Sequence, residues 1–397
     1  MNGLAKLWTR GRIAAAIAFL SASATGRSID PTVAQSLVPG SPRAAVRYAL
    51  PSEPQLLWQA RLQGTISQPP AVSRQGDLIV ATAGRLSQLG ANGKLSWTLR
   101  IRGAAAAAPP LLAPNTSRLL ITTRGELLVA GPDGRLLRQV QLPLPSAKQL
   151  VFSQLAADGT FVLAVDKSVY QFDVDGQLLA QTDSTNPVSA VALHETQVFF
   201  ATRTGELLRW IPGVDTRSVG SFAGVTKELH VLRTGRIIAV VDRTRLVELD
   251  LAHGQQRIRH GADGLALDSA PAVDPTGTIH VATSDGLLVS FDSRGNESRR
   301  VLLSASLSSR PIGGTARLQA GRRGKVAFVL PTGEFGVVHR GGEVRRAAVP
   351  SCRSPTAVVS TGDDHVAVLC SSGLVMGFGP APESVGRPTG DAKRVRL

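Results

Sequence analysis

The sequence predicts an all-β protein, an eight-bladed β-propeller of four-stranded antiparallel blades. Three observations predict it: a hydrophobic strand pair closed by a tight polar turn recurs about every forty residues, it recurs eight times, and the outermost strand missing from the last copy is present near the N-terminus. Units of this length with four strands are typical of propeller blades, each of which buries its faces against its neighbours. The repeat therefore predicts one continuous ring rather than separate domains.

The clearest copy covers residues 269–295. A first short strand is predicted over 270–273, and a second, with the alternating pattern of a β-strand, over 279–283. Ser284-Asp285-Gly286 is predicted to form a two-residue hairpin turn, because Asp-Gly tolerates the positive φ angles that such turns need. The third strand is predicted over 287–291.

Turn glycines mark the register of the other copies. They stand at Gly84, Gly125, Gly205, Gly286, Gly333 and Gly373, with intervals of 41, 80, 81, 47 and 40 residues. Each of the two long intervals therefore hides a copy whose turn has no glycine. The hidden strand pairs are 161–165 with 169–172 and 237–241 with 246–249, which brings the number of blades to eight.

Ring closure is predicted from the two ends of the repeat. The last copy ends with its third strand, 374–378, and the chain continues directly into Gly379-Pro380. Residues 55–62 resemble the fourth strand of the first blade, 94–100, with a tryptophan in each. We therefore expect 55–62 to complete the eighth blade, so that the propeller spans 55–379.

These repeats resemble a known family. The run from Pro271-Ala-Val-Asp274 through Thr283-Ser-Asp-Gly-Leu-Leu288 to Phe291-Asp292, together with Gly90-Ala-Asn-Gly93-Lys-Leu-Ser-Trp97, looks like the PQQ-type repeat of eight-bladed quinoprotein alcohol dehydrogenase-like propellers. The resemblance covers roughly residues 55–379 and implies the same fold. The family's tryptophan-docking ending is clear at Trp97, whereas Trp210 stands elsewhere, just after a predicted third strand.

The resemblance leaves two function classes, because the same blades serve quinone enzymes and non-enzymatic scaffolds. For an enzyme it implies a calcium-bound quinone, acidic ligands, a catalytic Asp, a stacking Trp and usually a vicinal Cys-Cys pair. The sequence has no such pair and four Trp. We expect a non-enzymatic scaffold without a cofactor, similar in role to the outer-membrane assembly lipoprotein of this fold; a quinone-dependent dehydrogenase-like enzyme is the alternative.

The N-terminal residues 1–24 are predicted to be a signal peptide, with a basic start, an apolar stretch over 13–20 and a small-residue cleavage site ending at Ala24. Residues 25–54 contain five prolines and are predicted to be a linker. Residues 380–397 are predicted to be a basic disordered tail. No other run is long enough for a transmembrane helix. The signal peptide therefore predicts export to the periplasm or the extracellular space.

The two cysteines, Cys352 and Cys370, both fall in the predicted eighth blade. If strands 356–360 and 365–369 pair across the turn between them, the cysteines lie close enough for a disulfide near the open end of that hairpin. Export supplies the oxidising conditions that disulfides require. Two unpaired buried thiols are the alternative.

The net charge of +15 comes partly from arginine pairs: Arg299 with Arg300, Arg322 with Arg323 and Arg345 with Arg346. We expect them on one rim, where they form a patch for an anionic partner or act as solvated charges that keep strand edges apart. A protein or an anionic envelope polymer is the expected partner. Aromatic content of 4% leaves few rings for stacking on bases, which argues against nucleic acid. The protein is expected to be monomeric.

No residue is assigned a catalytic, cofactor-binding or metal-binding role. Asp173-Val174-Asp175-Gly176 lacks the further oxygen ligands of a calcium loop and is predicted to be a strand turn. Asp363-Asp364-His365 is the only acid-histidine cluster and is also predicted to be a turn. The seven histidines have no metal-ligand spacing, and neither a nucleophile elbow nor a phosphate loop is present.

Overall fold

The computed structural model describes residues 48–145, 150–156, 158–232, 234–251, 253, 255–260, 266–267, 269–304, 315–347, 349, 352 and 354–380. All of them belong to one compact unit, Ala34–Leu397. The predicted signal peptide, residues 25–47 of the predicted linker and residues 381–397 of the predicted tail lie outside the described residues.

The described residues form eight four-stranded antiparallel sheets; in seven of them the strands follow chain order, and in the eighth the last three strands of the chain are followed by the first. Blades 1 to 4 contain β2 (Ala71–Val72), β3 (Leu78–Thr82), β4 (Arg85–Leu89) and β5 (Leu95–Arg100); β6 (Leu111–Leu112), β7 (Arg118–Ile121), β8 (Glu126–Ala130) and β9 (Leu136–Gln141); β10 (Leu150–Leu155), β11 (Phe161–Val165), β12 (Ser168–Phe172) and β13 (Leu178–Asp183); β14 (Val188–His194), β15 (Gln197–Thr202), β16 (Glu206–Ile211) and β17 (Asp215–Ser221).

Blades 5 to 8 contain β18 (Thr226–Val231), β19 (Arg236–Val241), β20 (Arg245–Asp250) and β21 (Gln255–His260); β22 (Ala272–Val273), β23 (Ile279–Ala282), β24 (Leu287–Phe291) and β25 (Glu297–Leu302); β26 (Arg317–Ala320), β27 (Val326–Val329), β28 (Phe335–Val338) and β29 (Val344–Ala347); β30 (Pro355–Gly362), β31 (His365–Cys370), β32 (Leu374–Gly379) and β1 (Gln55–Arg61). The helical structure in the described residues is one 3-10 turn, Arg322–Gly324. The predicted all-β propeller of eight four-stranded antiparallel blades is confirmed.

Strand β1 closes the ring as predicted. It pairs antiparallel with β32, with Gln55 opposite Gly379 and Arg61 opposite Leu374. The closing blade therefore joins two segments from opposite ends of the propeller sequence.

The hairpin turn between β23 and β24 differs from the predicted two-residue type. Thr283 donates its backbone N–H to the carbonyl of Leu287, and the carbonyl of Thr283 accepts from Gly286. Gly286 has φ +84°, whereas Asp285 is not among the residues with positive φ. The loop therefore has three residues, a type I turn followed by a left-handed glycine, which explains why one glycine suffices as a register mark.

The two copies without a turn glycine use other residues with positive φ at the corresponding turn. Asp166 has φ +50° between β11 and β12, and Asp242 and Arg243 have φ +52° and +58° between β19 and β20. Asp occupies the left-handed region at lower cost than most residues. The turn is thus retained although its sequence signature is lost.

The core consists of eight hydrophobic clusters, one at each junction between neighbouring blades. Strand β11 shows how alternation builds them: Phe161, Leu163 and Val165 pack towards blade 2, while Val162 and Ala164 pack towards blade 4. Both faces of the middle strands are buried, so these strands are apolar throughout.

The segment 48–54, the described part of the predicted linker, contacts the propeller. The Leu50 side chain is fully buried in the cluster between blades 7 and 8. Its carbonyl accepts from Lys325 Nζ at 2.7 Å. The carbonyl of Tyr48 accepts from Arg322 N at 3.2 Å, and that of Ala49 from Asp364 N at 3.0 Å. This segment therefore ties the strand that closes the ring to the interface between blades 7 and 8, here called the closing junction.

Candidate interaction surfaces

Of the six predicted patch arginines, Arg299 makes contacts inside the ring. It is half-buried on the last strand of blade 6. Its guanidinium donates to Ser290 Oγ at 3.4 Å and to the carbonyl of His339 in blade 7. Burial lowers the pKa of Arg299 from its ordinary value, with Asp274 acting in the opposite direction. Arg299 therefore connects two blades.

The other five arginines are exposed. Two of them form ion pairs, Arg300 with Glu297 at 2.9 Å and Arg345 with Glu343 at 2.7 Å. Arg346 donates to the carbonyl of Leu303 at 3.0 Å. The remaining pair, Arg322 and Arg323, lies in the 3-10 turn between β26 and β27. Arg299 Nη1 donates to the carbonyl of Gly324 in this turn at 3.5 Å.

Two tryptophans dock one blade onto the next. Trp97 of blade 1 donates its Nε1–H to the carbonyl of Pro132 in blade 2 at 2.9 Å, and its ring covers Gly134. Trp58 of blade 8 donates to the carbonyl of Ala91 in blade 1 at 2.9 Å, and its ring covers Gly93. A Cβ atom at Gly134 would lie 2.4 Å from Trp97, so glycine is required beneath the indole.

The equivalent position in the other six blades does not carry tryptophan. Strand register gives Arg138, Ala180, Arg217, Arg257, Arg299 and Arg345 for blades 2 to 7. Arginine performs the same docking in blades 2 and 6: Arg138 pairs with Asp175 of blade 3 at 3.0 Å, and Arg299 bonds the carbonyl of His339 in blade 7. A guanidinium, like an indole, combines a flat face with N–H donors.

The docking role of these arginines was not predicted because the sequence analysis took tryptophan as the marker of docking. The signal that finds them is spacing: the docking residue stands four positions after a turn glycine with positive φ. This holds for Trp97 after Gly93, Arg138 after Gly134 and Arg299 after Gly295. In blade 3 the position is Ala180, and it packs against the cluster that contains Trp210 of blade 4.

The two candidate acidic clusters both lie in strand turns, and an aspartate of each accepts hydrogen bonds from backbone N–H groups. Asp173 Oδ1 accepts from the backbone N–H groups of Asp175 and Gln177 at 2.9 and 2.8 Å. Asp363 Oδ1 accepts from the backbone N–H of Ala49 at 3.0 Å, in the turn between β30 and β31. Asp173 thus holds its own turn, in agreement with the turn interpretation, whereas Asp363 binds the backbone of the segment 48–54.

A buried polar cluster lies in blade 6. His280 Nδ1 is 2.8 Å from Ser290 Oγ, and His280 Nε2 is 3.8 Å from Asp274 Oδ2. Burial lowers the pKa of His280, although Asp274 acts to raise it. His280 and Ser290 are each only 1% exposed, so no substrate reaches them in this arrangement. The cluster links strands within the blade.

An acidic and a basic side chain on two innermost strands interact electrostatically with each other. Glu228 lies on β18 and Arg317 on β26, and both keep exposed surface. The surrounding protein restricts hydration of the Glu228 carboxylate and raises its pKa to about 7, while Arg317 acts to lower it. The two residues thus interact electrostatically although they belong to blades 5 and 7.

Cys352 and Cys370 are joined by a disulfide with a Cα–Cα distance of 5.6 Å. Cys352 lies in the connection before β30, and Cys370 is the last residue of β31. Both are buried in the cluster between blades 7 and 8, where Leu50 also packs. The disulfide therefore belongs to the closing junction.

The described residues do not fit the quinone site of the resembled enzymes. Trp58 and Trp97 lie on outermost strands against the next blade, and Trp210 is buried at a junction, so none of them faces the central channel. No three His, Cys, Asp or Glu side chains in the described ranges are grouped as metal ligands. Within the same ranges, no helix is long and apolar enough to cross a membrane.

Comparison with known proteins supports the resemblance. The family described as "Outer membrane protein assembly factor BamB" matches residues 43–212, which include β1 and blades 1 to 3 with most of blade 4. None of the curated proteins compared matches the chain. The resemblance to PQQ-type repeat propellers is confirmed by this match together with the eight-bladed architecture.

Solved structures with the same fold include a designed protein, Ika8, with 17% identity and a TM-score of 0.66, covering 82% of this chain and 99% of its own. BamB from Moraxella catarrhalis has 14% identity and a TM-score of 0.53, covering 85% and 96%. Virginiamycin B lyase from Staphylococcus aureus has 10% identity and a TM-score of 0.52, covering 81% and 98%. These likenesses extend to the fold, which a designed protein, an assembly factor and a lyase share.

Proposed function

We propose that this chain is an exported, non-enzymatic propeller scaffold that binds a protein or an anionic envelope polymer in the periplasm or outside the cell. The observation that carries the proposal is the match of residues 43–212 to the family described as an outer membrane protein assembly factor. A ring whose eight junctions are packed by buried clusters supplies a rigid frame for exposed turns, which suits a binding role.

The disulfide between Cys352 and Cys370 supports export, because disulfides persist in oxidising compartments. Together with the signal-peptide pattern in residues 1–24, it favours an envelope or extracellular location. The linker, 25–47, and the tail, 381–397, remain predictions about segments outside the described residues.

An anionic partner would meet the exposed arginines of blades 6 and 7. Arg299 is half-buried between two blades, so the test addresses four of the exposed arginines, Arg300, Arg322, Arg323 and Arg345. The salt dependence of retention on an anionic matrix tests this patch. The variant R300S/R322S/R323S/R345S should elute at lower salt than a control that loses the same charge from exposed arginines elsewhere, R61S/R100S/R102S/R203S. Equal elution would show that net charge alone is responsible.

Cross-linking of the tagged chain in its own cell envelope, followed by affinity purification, tests the scaffold proposal as a whole. We expect one or more envelope components to be recovered reproducibly with the wild-type chain. Recovery no greater than that of an unrelated exported β-propeller with the same tag would contradict the proposal.

The enzyme alternative has its own test. The purified chain is mixed with the quinone and calcium, and both the absorbance spectrum and dye-linked dehydrogenase activity are measured. We expect neither bound quinone nor activity, because the tryptophans occupy docking and junction positions. Stoichiometric quinone binding with turnover would overturn the non-enzymatic assignment.

A further inference from the structure

Exposed large hydrophobic side chains are concentrated on one half of the ring. Of nine such residues in the described chain, eight lie along blades 8, 1, 2 and 3 and the adjoining turn of blade 4, and the ninth, Leu302, lies in blade 6. The eight, here called the leucine arc, are Leu56, Leu57, Leu95, Leu136, Leu137, Leu178, Leu179 and Val214, with exposed fractions from 37% to 74%. Single exposed leucines are ordinary, but eight of nine on one half of the ring is a one-sided distribution that indicates an interaction surface.

The leucines of the arc lie at one level of the ring. Each stands one or two residues before the docking position of its last strand, as Leu136 and Leu137 do before Arg138. Last strands begin on the rim that also carries the turns between first and second strands, because neighbouring strands in a blade are antiparallel. The arc therefore follows that rim around half of the circumference.

The other half of the ring carries mainly polar residues at the same positions. They are Asp215 and Thr216 in blade 4, Gln255 and Gln256 in blade 5, Glu297 and Ser298 in blade 6, and Glu343 and Val344 in blade 7. The repeat itself therefore does not require leucine at these positions. The difference between the two halves points to a partner that contacts one side.

A β-bulge at the start of the last strand changes the direction in which the leucine side chains project. The pairing register shifts between Leu56 and Trp58, and at the corresponding points of β5, β9 and β13. The extra residue, Leu57 in blade 8 and Leu137 in blade 2, stands outside the regular ladder. Bulged edges disfavour addition of another strand, so a partner of the arc would be contacted through side chains rather than through backbone pairing.

Charged residues of both signs flank the arc: Asp133 and Asp215 are acidic, whereas the residues directly before two of the arc leucines are basic. Lys94 directly precedes Leu95, and Arg135 directly precedes Leu136; both are exposed. The whole chain has a net charge of +15. A second copy of the chain would carry the same sign and be repelled, whereas an anionic surface would be attracted.

The segments outside the structure join the ring beside the arc. Gln55, next to Leu56, pairs with Gly379 near the end of the described chain. Residues 25–47, which follow the predicted signal peptide, contain three basic residues and one acidic residue, and residues 381–397 contain four basic and two acidic residues. Basic sequence thus enters and leaves the propeller on the same rim as the leucines.

We propose that the leucine arc docks the propeller on an anionic lipid bilayer, with the leucines entering the headgroup region and the flanking basic residues facing lipid phosphates. Leucines that lie at one level of the ring can all reach a planar membrane surface. Buried apolar area and basic charge together hold peripheral proteins on anionic membranes. The proposal is independent of whether a protein partner binds elsewhere on the ring.

Co-sedimentation of the purified full chain with vesicles tests the proposal. We expect binding to phosphatidylethanolamine–phosphatidylglycerol vesicles and much weaker binding to phosphatidylcholine vesicles. The variant L57S/L137S/L179S should reduce the partition coefficient about tenfold or more, since bound apolar area is lost while charge is unchanged. For a matched pair, L137S should weaken binding and L302S, at the exposed leucine of blade 6, should not.

A site-specific readout separates the arc from the terminal segments. An environment-sensitive fluorophore attached at Cys in L137C should shift to shorter wavelength on vesicles, and the same fluorophore in L302C should not. Absence of wild-type binding, equal binding by the triple variant, equal loss in L302S, or equal shifts at the two labels would each overturn the proposal. Loss of a protein complex by the triple variant with unchanged vesicle binding would assign the arc to a protein instead.

Discussion

Replacing Leu50 by alanine tests whether the segment before the first strand is part of the fold. The Leu50 side chain has no exposed surface and packs among residues of blades 7 and 8, including Val337 and Phe378. Truncating a fully buried leucine removes its transfer free energy and leaves a cavity, at a cost of about 3 kcal/mol. The hydrogen bonds from Lys325, Arg322 and Asp364 to the backbone of this segment are not removed by the substitution.

The matched control is Leu137→Ala, at a leucine that is 58% exposed. Equilibrium unfolding in denaturant, followed by tryptophan fluorescence under non-reducing conditions, gives the free energy of unfolding of both variants. We expect Leu50→Ala to lose about 3 kcal/mol and Leu137→Ala to change by no more than about 0.5 kcal/mol. If the two variants are equally stable, the reasoning that places Leu50 in the closing junction is wrong.

Three further predictions concern stability. Burial lowers the pKa of His230 to about 4, so this histidine is neutral in the folded state. The free energy of unfolding should therefore be highest above the unfolded pKa of about 6.5 and fall by about 3 kcal/mol as the pH drops to 4. Denaturant titrations at several pH values should show a smaller fall for His230→Gln. Gly134→Ala should destabilise by about 2 kcal/mol more than Gly235→Ala, because both glycines have positive φ but only the first would place its Cβ against an indole, 2.4 Å from Trp97; equal thermal midpoints would contradict this. Reducing the disulfide, which spans 18 residues, should cost about 3 kcal/mol by the loop-entropy relation, and two free thiols in mass spectra of unreduced protein would contradict the bond itself.

The architecture could be predicted from sequence because each blade repeats the same local physics. The turn glycines hold one φ that other residues rarely adopt, and the apolar strands between them are buried on both faces. The copies around Asp166 and Asp242 were found by spacing although their turns lack glycine. Ring closure through Trp58 was found because β1 copies a strand present elsewhere in the chain.

Features outside the repeat could not be predicted in this way. Leu50 follows a stretch rich in proline, and nothing in its neighbourhood indicates that one leucine fills a cavity formed by residues nearly 300 positions later. The docking role of Arg138 and Arg299 was not recognised in the sequence because tryptophan is aromatic and arginine is charged. Both side chains nevertheless present a flat face with N–H donors. Arg299 was accordingly assigned to a surface patch, whereas its guanidinium reaches into the neighbouring blade.

The closing junction is stabilised by contacts from outside the repeat, in addition to the hydrophobic packing that every junction has. Blade 8 joins β1 to β32, whose paired residues are more than 300 positions apart, so closing it orders the longest loop in the propeller. At this junction the structure places the buried Leu50, the hydrogen bonds of Lys325 to the carbonyl of Leu50 and to Ser52, and the disulfide Cys352–Cys370. Because each blade contacts only its two neighbours, local unfolding is expected first at the blade whose closure costs the most chain entropy. The concentration of contacts here therefore follows from topology, and it predicts that Leu50→Ala combined with disulfide reduction exposes the β1–β32 pairing to hydrogen exchange before the strands of blades 2 to 5.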